Sequence, residues 1–222
     1  AIKDVAMVLD RMVEAVMIRT FSHDNLIQMA KYSKIPIING LSDLHHPCQI
    51  LGDLLTILEK KGTLKNQKIS YFGDGNNVCH SWLVAAGILG LKLTICSPNS
   101  YQPQTDIWDW AQEKGCNSGA AIVYEANPLV AAQDADVIYT DVWASMGKES
   151  EMEERIAHFK KLQVNQNLLD KAHPEAIVLH CMPAHRNLEI TDEVMDGPQS
   201  VIIDEAENRL HAQKALLALI MS

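Results

Sequence analysis

The sequence lacks three features that would direct its interpretation elsewhere. Its five cysteines form no C-x-x-C pair and are odd in number, which argues against a zinc ribbon or a disulfide framework and favours reduced thiols. No apolar run approaches the roughly 20 residues that cross a bilayer. Asp and Glu outnumber Lys and Arg by 28 to 19, a net charge of −9, so a nucleic-acid-binding surface is not expected. We expect a cytoplasmic protein, or one of an organelle matrix if the source is eukaryotic.

Hydrophobic periodicity predicts an α/β protein. Apolar residues at helical spacing predict one helix from the N-terminus to about Val16, with Arg19 just after it, and another over 22–31 with Ser22 as N-cap. From Lys68 onward, strand-like runs alternate with helical patterns, which predicts crossover connections and a mostly parallel sheet. The predicted strands are 35–38, 69–72, 93–96, 121–124, 137–140, 177–179 and 201–203, and the later helices are 77–90, 105–115, 127–133 and 151–170.

The fold class that follows is α/β, with two doubly wound parallel-sheet domains, the first N-terminally truncated. The predicted division is a first-domain remnant with a linking helix (1–61), a complete second domain (62–203) and a C-terminal helix that packs back on the first (204–222). A charged, glycine-containing turn at residues 60–62 supports the first boundary. Asp204 and Glu207 have the spacing of a capping box at the start of the last helix.

The first polar loop at a predicted strand end is His45-His46-Pro47-Cys48-Gln49. Pro47 suits the first turn of a helix, where its missing N–H costs nothing. His46 and Gln49 would then flank a helix N-terminus, which is a site for an anion or a polarised carbonyl. The alternative is a capped helix with a surface histidine.

The second loop is Gly73-Asp74-Gly75-Asn76-Asn77-Val78. It resembles the dinucleotide motif G-x-G-x-x-G but has Val78 where the last glycine is expected. The next predicted strand ends in Ser97-Pro98, without an acidic residue to bind a ribose. A tight turn that places an Asn side chain at a helix N-terminus is the better interpretation.

The third loop begins with Asp141, directly after a buried strand. A carboxylate in that position needs a cation or a hydrogen-bonding partner, and the ammonium group of a small ligand would suit it. The alternative is an aspartate that bonds its own backbone. The mixed, mostly acidic cluster at 148–155 is expected to be a solvated helix or loop.

The fourth loop is His180-Cys181-Met182-Pro183-Ala184-His185-Arg186. Two histidines and a thiol within six residues suggest a metal site or a nucleophilic cysteine. No second ligand cluster exists in the sequence, and Pro183 breaks any helical i, i+4 alignment. No partner for a cysteine nucleophile is identifiable by spacing either, so neither hypothesis is favoured.

These four loops in this order, with Asp204-Glu205-Ala206-Glu207-Asn208-Arg209, resemble the transcarbamoylase superfamily and, within it, the ornithine carbamoyltransferase family. The resemblance covers essentially the whole chain. The segment 46–49 resembles the H-P-x-Q motif of the superfamily, and 180–183 resembles H-C-L-P with Met for Leu. Asp141 with Ser-Met-Gly at 145–147 resembles the amino-acid recognition loop of the ornithine branch, and the arginine-bearing motif of the aspartate branch is absent.

The resemblance implies transfer of the carbamoyl group of carbamoyl phosphate to the δ-amine of L-ornithine, giving L-citrulline and phosphate. It implies no metal and no organic cofactor, and a homotrimer or an assembly of trimers. Arg19 and His46 would donate to the carbonyl oxygen and the phosphate, and Gln49 would orient the carbamoyl amide. The implied carbamoyl-phosphate residues are Arg19, His46, Gln49, Cys181, Met182 and Arg209.

Ornithine would be held through its α-amino and α-carboxylate groups by Asn77, Asp141, Ser145 and the backbone of Met146. Arg19, His46 and Cys181 are the implied catalytic residues. A Cys181 thiolate could help the δ-amine lose its proton, whereas a neutral thiol would only pack and bond weakly.

The family's phosphate-binding segment S-x-R-T-R is expected upstream of Ala1, as is any targeting segment. Without it, the chain as printed would lack half of its phosphate site, and we expect no activity from that stretch alone. Three alternatives stay open: a sister transcarbamoylase with another amine acceptor, a non-catalytic ligand-binding fragment, and a dinucleotide oxidoreductase, which Val78 and Ser97 oppose.

Overall fold

The computed structural model describes residues 1–144 and 151–222. In those two ranges, every helix is too short or too polar to span a bilayer. The strands are β1 (Val16–Arg19), β2 (Ile37–Leu41), β3 (Lys68–Phe72), β4 (Lys92–Cys96), β5 (Ala121–Tyr124), β6 (Val137–Thr140) and β7 (Ile177–His180). The helices are α1 (Ile2–Leu9), α2 (His23–Tyr32), α3 (Pro47–Lys61), α4 (Asn77–Leu89), α5 (Thr105–Ser118), α6 (Pro128–Ala131), α7 (Met152–Phe159), α8 (Gln166–Leu169), α9 (Asp192–Met195) and α10 (Ile202–Ile220).

The larger sheet has five strands in the order β5-β4-β3-β6-β7. Every neighbouring pair is parallel, and β6 and β7 are buried at each position, as expected for strands with helices on both faces. The predicted α/β class with parallel sheets is confirmed. The chain winds outward from β3 in one direction and then, from β6, in the other. Ligands in such sheets bind outside the carboxyl ends of the strands where this reversal occurs, here β3 and β6.

The smaller sheet consists of the parallel strands β1 and β2. The predicted N-terminal helix is wrong in its second half, because α1 ends at Leu9. Asp10 follows it and accepts hydrogen bonds from the Ser33 hydroxyl and from the Lys34 backbone N–H, at the end of α2. The chain then turns into β1, where β-branched residues favour an extended backbone. Arg19 therefore ends a strand and not a helix.

Helix α10 begins at Ile202, so the strand predicted at 201–203 is wrong. Three apolar residues are too few for periodicity to distinguish a strand from a buried helical turn. The predicted capping box is wrong as well, since Asp204 lies inside the first turn and forms an ion pair with Lys60 at 2.8 Å.

The single helix predicted over 151–170 is also wrong. The structure has α7, then a 3-10 turn at Lys160–Leu162, then the short helix α8. The Asn165 side chain accepts a hydrogen bond from the Leu168 N–H at 3.1 Å and so begins α8 as a separate helix. An N-capping asparagine competes with a continuous helix because it satisfies the free N–H groups of a new one.

Helix α10 packs closely along α3. A Cβ atom at Gly52 would lie 3.1 Å from Cδ of Arg209 and 3.3 Å from its backbone nitrogen, so glycine permits the close approach. Asn208 donates to Thr56 Oγ1 at 3.0 Å and to Glu59 Oε2 at 2.7 Å. These contacts bring the last helix onto α3. The division of the chain into domains stays a prediction.

Candidate active site

Helix α3 begins with the predicted proline and histidine. Pro47 lies in its first turn and His46 is the N-cap, whose backbone N–H donates to Ser81 Oγ at 2.7 Å. The His46 side chain is buried and is not a surface histidine. Burial, together with the guanidinium groups of Arg209 and Arg19, lowers the pKa of His46 to about 3. The imidazole is therefore neutral at pH 7 and carries one N–H that can donate to a ligand.

Gln49 is buried one turn into α3 and joins that helix to α10. Its side-chain oxygen accepts a hydrogen bond from the Arg209 guanidinium. Its amide nitrogen donates to Asp53 Oδ1 at 2.7 Å and to Glu205 Oε1 at 3.2 Å. The amide therefore uses its donors on carboxyl groups and its acceptor on a cation.

Positive charge converges on the N-terminus of α3. Arg19 and Arg209 both act on the pKa of His46, and the N-terminus of a helix itself favours an anion. Among the described residues, Nδ1 of His46 and Nε of Arg209 are buried without a hydrogen-bond partner. Buried polar atoms of this kind are suited to a ligand. The structure thus brings together Arg19, His46, Gln49 and Arg209.

The loop after β3 places Asn76 at the N-terminus of α4. Its side-chain oxygen accepts from the N–H groups of Val78 and Cys79 at 3.0 and 3.1 Å, which confirms the predicted asparagine at a helix N-terminus. Its amide nitrogen donates to Asp141 Oδ2 at 2.7 Å. The neighbouring Asn77, the residue predicted from the resemblance, donates instead to the Ser42 carbonyl at 2.7 Å.

Gly75, the second glycine of the motif that resembles a dinucleotide-binding loop, has a structural reason that does not involve a dinucleotide. A Cβ atom at this position would lie 2.2 Å from the Pro103 nitrogen and 2.3 Å from the Gln102 carbonyl carbon. The Gly75 N–H also donates to the Tyr101 carbonyl at 2.7 Å. The glycine is needed for the close approach of two backbone segments.

Asp141 follows β6 at the point where the sheet order reverses. It is buried and accepts hydrogen bonds from the Cys181 thiol at 2.9 Å, from the Asn76 amide and from the Val142 N–H at 2.7 Å. Both predicted partners of Asp141 remain compatible with this geometry: it bonds its own backbone and offers negative charge to a cation. Burial, and then the charge of Asp141, raise the pKa of the Cys181 thiol well above its ordinary value. Cys181 is therefore a neutral donor here.

The loop after β7 is fixed by His180 and Glu189. Nδ1 of His180 accepts from the Met182 N–H at 2.9 Å, and Nε2 lies 3.1 Å from Glu189 Oε1. Both ring nitrogens are thus occupied, which argues against the metal hypothesis for this loop. In the part of the chain that the structure describes, no group of three or more His, Cys, Asp or Glu residues could hold a metal ion. Met182 has φ of 55°, a strained backbone conformation that concentrates at functional sites.

A buried arginine anchors the segment on either side of the predicted amino-acid loop. Arg155 donates to Asp74 Oδ2 and to the Trp143 carbonyl, each at 2.7 Å, and to Glu151 Oε2 at 2.9 Å. The expectation of a solvated cluster at 148–155 is wrong for Arg155, whose side chain is 2% exposed. Ser145, Met146 and Gly147 lie outside the described residues.

Two family models match the chain. The carbamoyl-P binding domain of aspartate/ornithine carbamoyltransferase matches residues 1–59. The Asp/Orn binding domain of the same enzymes matches residues 65–220. The chain belongs to the aspartate/ornithine carbamoyltransferase family. The first match contains the N-terminus of α3 with His46 and Gln49, and the second contains Asp141 and Cys181.

Curated relatives point to the ornithine branch of the family. The ornithine carbamoyltransferase of Pyrococcus horikoshii is 51% identical over 220 residues, 99% of this chain and 69% of that protein. The ornithine carbamoyltransferase of Halalkalibacterium halodurans is 52% identical over 220 residues, 99% of this chain and 69% of that protein. This chain therefore aligns along nearly all of its length and with about two thirds of each relative.

Solved structures share the fold. The ornithine carbamoyltransferase of Pyrococcus furiosus superposes with a TM-score of 0.94 at 50% identity, covering 100% of this chain and 71% of that one. The ornithine transcarbamoylase of Giardia lamblia gives a TM-score of 0.92 at 31% identity, covering 99% of this chain and 74% of that one. The arrangement of the sheets and helices is therefore that of the family.

Sequence reasoning missed several residues of this site. Asn76, and not the predicted Asn77, donates to Asp141, and the sequence signal for it was the adjacency of the two asparagines. Asp53 and Glu205 lie beneath Gln49. Asp53 could have been found from its i, i+4 spacing to Gln49. No local sequence signal connects Asp53 to Glu205, which lies 152 positions further along the chain. Arg155 had no sequence signal beyond a charge in an acidic cluster.

Proposed function

We propose that the protein transfers the carbamoyl group of carbamoyl phosphate to the δ-amine of L-ornithine, giving L-citrulline and phosphate. The observation that carries the proposal is the cluster of Asn76, Asp141 and Cys181 at the carboxyl ends of three strands. It lies in the Asp/Orn binding domain of a chain whose relatives at 51–52% identity are ornithine carbamoyltransferases.

Carbamoyl phosphate is proposed to bind at the N-terminus of α3. The two guanidinium groups of Arg19 and Arg209 suit a phosphate, because a planar guanidinium can donate two parallel hydrogen bonds to it. Neutral His46 would donate its single N–H to the carbonyl oxygen. Gln49 would orient the carbamoyl amide, and Cys181 with the Met182 backbone would line the side at which the amine arrives.

Ornithine is proposed to bind across the ends of β3 and β6. The carboxylate of Asp141 would receive the α-ammonium group, since it is the anion at this position. Asn77, Ser145 and the Met146 backbone would complete the amino-acid site, as the family resemblance implies. Arg155, which donates to the Trp143 carbonyl and to Glu151, would hold these two residues in place beside the proposed ornithine site.

The proposed chemistry is acyl transfer through a tetrahedral intermediate. The δ-nitrogen attacks the carbonyl carbon, a C–N bond forms, and the carbonyl oxygen becomes an oxyanion that Arg19 and His46 face. The C–O bond to phosphate then breaks and the amine loses a proton. The rate acceleration comes from positioning of the two substrates and from stabilisation of the oxyanion. The δ-amine has an unperturbed pKa near that of lysine, about 10.4, so turnover is expected to rise toward alkaline pH.

Three further expectations accompany this function. We propose a carbamoyl-phosphate domain at 1–61, an ornithine domain at 62–203 and a closing helix at 204–222, a division that the close packing of α10 on α3 supports for the last element. A homotrimer or an assembly of trimers is proposed from the family, and light scattering after size-exclusion chromatography would measure it. A cytoplasmic location is proposed because all five cysteines are free thiols.

An amine panel tests the proposed function against its alternatives. The protein, as its gene encodes it, is assayed with constant carbamoyl phosphate and with ornithine, putrescine, N-acetylornithine or aspartate. Ornithine is expected to give the highest kcat/KM. A higher value with another amine would assign the protein to a sister transcarbamoylase. If calorimetry detects the binding of ornithine while the assay detects no formation of citrulline, the protein is a non-catalytic ligand-binding protein.

A further inference from the structure

Two carboxyl groups are buried directly beneath Gln49. Asp53 lies one turn further along α3 and Glu205 lies in the first turn of α10, and both side chains are 0% exposed. Both accept a hydrogen bond from the same amide nitrogen of Gln49, at 2.7 and 3.2 Å. The second oxygen of Glu205 accepts from the His180 backbone N–H at 2.7 Å. The pair therefore connects α3, α10 and the end of β7.

The groups that face this pair provide little positive charge. Arg209 of α10 is the nearby cation, but its guanidinium donates to the oxygen of Gln49, and within 1–144 and 151–222 it forms no ion pair with either carboxyl group. Tyr139 of β6 and Cys181 after β7 also face the pair. Burial raises the pKa of both well above their ordinary values, so both are neutral at pH 7.

Two carboxylates in such surroundings cannot both be ionised, because each like charge disfavours the other and burial disfavours both. Burial raises the pKa of Asp53 to about 7. Burial, and then the charge of Asp53, raise the pKa of Glu205 well above its ordinary value. One proton is therefore kept between the two side chains near neutral pH.

This arrangement determines how Gln49 is oriented. An amide side chain can rotate to exchange its oxygen and nitrogen, and its neighbours select one orientation. Asp53 and Glu205 are acceptors, so they hold the NH₂ group. The oxygen is left to face Arg209, on the side where the proposed carbamoyl phosphate binds.

We infer that Asp53 and Glu205 are positioning residues, an inference that rests on the proposed carbamoyl transfer. Together they hold one proton and fix the Gln49 amide with its oxygen toward the proposed carbamoyl-phosphate pocket. Neither side chain touches the substrate in this account. Their effect on the reaction passes through Gln49 and Arg209.

Kinetics of paired variants test the positioning role. Asp53→Asn keeps an oxygen that accepts from Gln49 and replaces the shared proton by a neutral amide, so the KM for carbamoyl phosphate is expected to stay within about twofold of wild type. Asp53→Leu removes the acceptor, and this KM is expected to rise about tenfold with little change in the KM for ornithine. Thr56→Val is the matched control, since Thr56 lies on the same helix and contacts α10 through Asn208 without contacting Gln49.

The outcomes are distinct. If Asp53→Leu is folded and keeps the wild-type KM for carbamoyl phosphate, or if Thr56→Val raises it equally, the positioning role is overturned. If the wild-type protein forms no citrulline, the proposed function fails, and the state of the pair is still measurable by spectroscopy.

Infrared difference spectra provide that measurement and do not depend on Asp53→Leu folding. At pH 7, wild type is expected to show the C=O band of a protonated buried carboxyl group. The band should be absent in the double variant Asp53→Asn/Glu205→Gln, which has no carboxyl group at this place. A band that persists unchanged in the double variant would show that this pair does not hold the proton.

Discussion

The two sides of the candidate active site are built from different elements. The proposed carbamoyl-phosphate side lies on the helices α3 and α10, where Arg209 donates to Gln49 and lowers the pKa of His46. The proposed amino-acid side lies on loops after strands, where the Cys181 thiol donates to Asp141. Helices provide rigid positions for a substrate common to the family, whereas loops can vary with the second substrate while the fold stays constant. Substitutions on the two sides should therefore have separable effects.

The largest effect is expected from Asp141→Asn. Loss of the buried carboxylate that faces the proposed ornithine site should lower kcat/KM for ornithine about a thousandfold, with the KM for carbamoyl phosphate unchanged. Steady-state kinetics measure both values. Asp136→Asn is the control, because Asp136 lies at the opposite end of β6 and its carboxylate accepts from the Lys68 N–H at 2.9 Å. Equal losses in the two variants would contradict a specific role for Asp141.

A smaller effect on catalysis, with a large one on stability, is expected from Arg155→Met. The variant leaves Asp74 buried without its cation, which should lower the free energy of unfolding by about 3–5 kcal/mol. The KM for ornithine should rise because Trp143 and Glu151 lose their common anchor. Urea denaturation and kinetics measure the two changes. Arg186 is an exposed arginine that pairs with Asp196, and in the control variant Arg186→Met both quantities should be nearly unchanged. A comparable loss of stability and of ornithine affinity in this control would contradict a specific role for Arg155.

The smallest effect is the pH dependence that His46 gives to stability. Its pKa is lowered from 6.5 to about 3 in the folded protein. Below pH 6.5 the unfolded chain binds a proton that the folded protein does not, so stability is lost as the pH falls from 6.5 toward 3. His46→Gln should therefore lose less free energy of unfolding between pH 7 and pH 4.5 than wild type. The free energy of unfolding is measured by denaturation of both proteins at these two pH values. An equal loss in His46→Gln and in wild type would contradict the lowered pKa of His46.

The parts of this comparison that the sequence predicts are those with local signals. Pro47 begins a helix because its geometry requires a first turn or a loop, and Asn76 caps α4 because its side chain reaches the N–H groups two and three residues further along the chain. The central strands follow from continuous apolar runs. These signals act within a few residues, so one sequence is enough to find them.

The parts that sequence reasoning misses depend on contacts between distant segments. The turn after α1 is made by Asp10 with residues more than 20 positions away, and no periodicity shows it. Arg155 is indistinguishable from a surface charge until Asp74 and the Trp143 carbonyl are placed beside it. The same limit applies to Glu205, whose role becomes visible only when α10 lies along α3.

The most direct test of the separation between the two sides is the Kd of carbamoyl phosphate, measured by calorimetry in Arg209→Lys and Asp141→Asn. Lysine cannot reproduce the two-point contact of a guanidinium, so Arg209→Lys should weaken binding at least about tenfold. Asp141→Asn should leave this Kd at the wild-type value. A loss of carbamoyl-phosphate affinity in Asp141→Asn as large as that in Arg209→Lys would contradict the account.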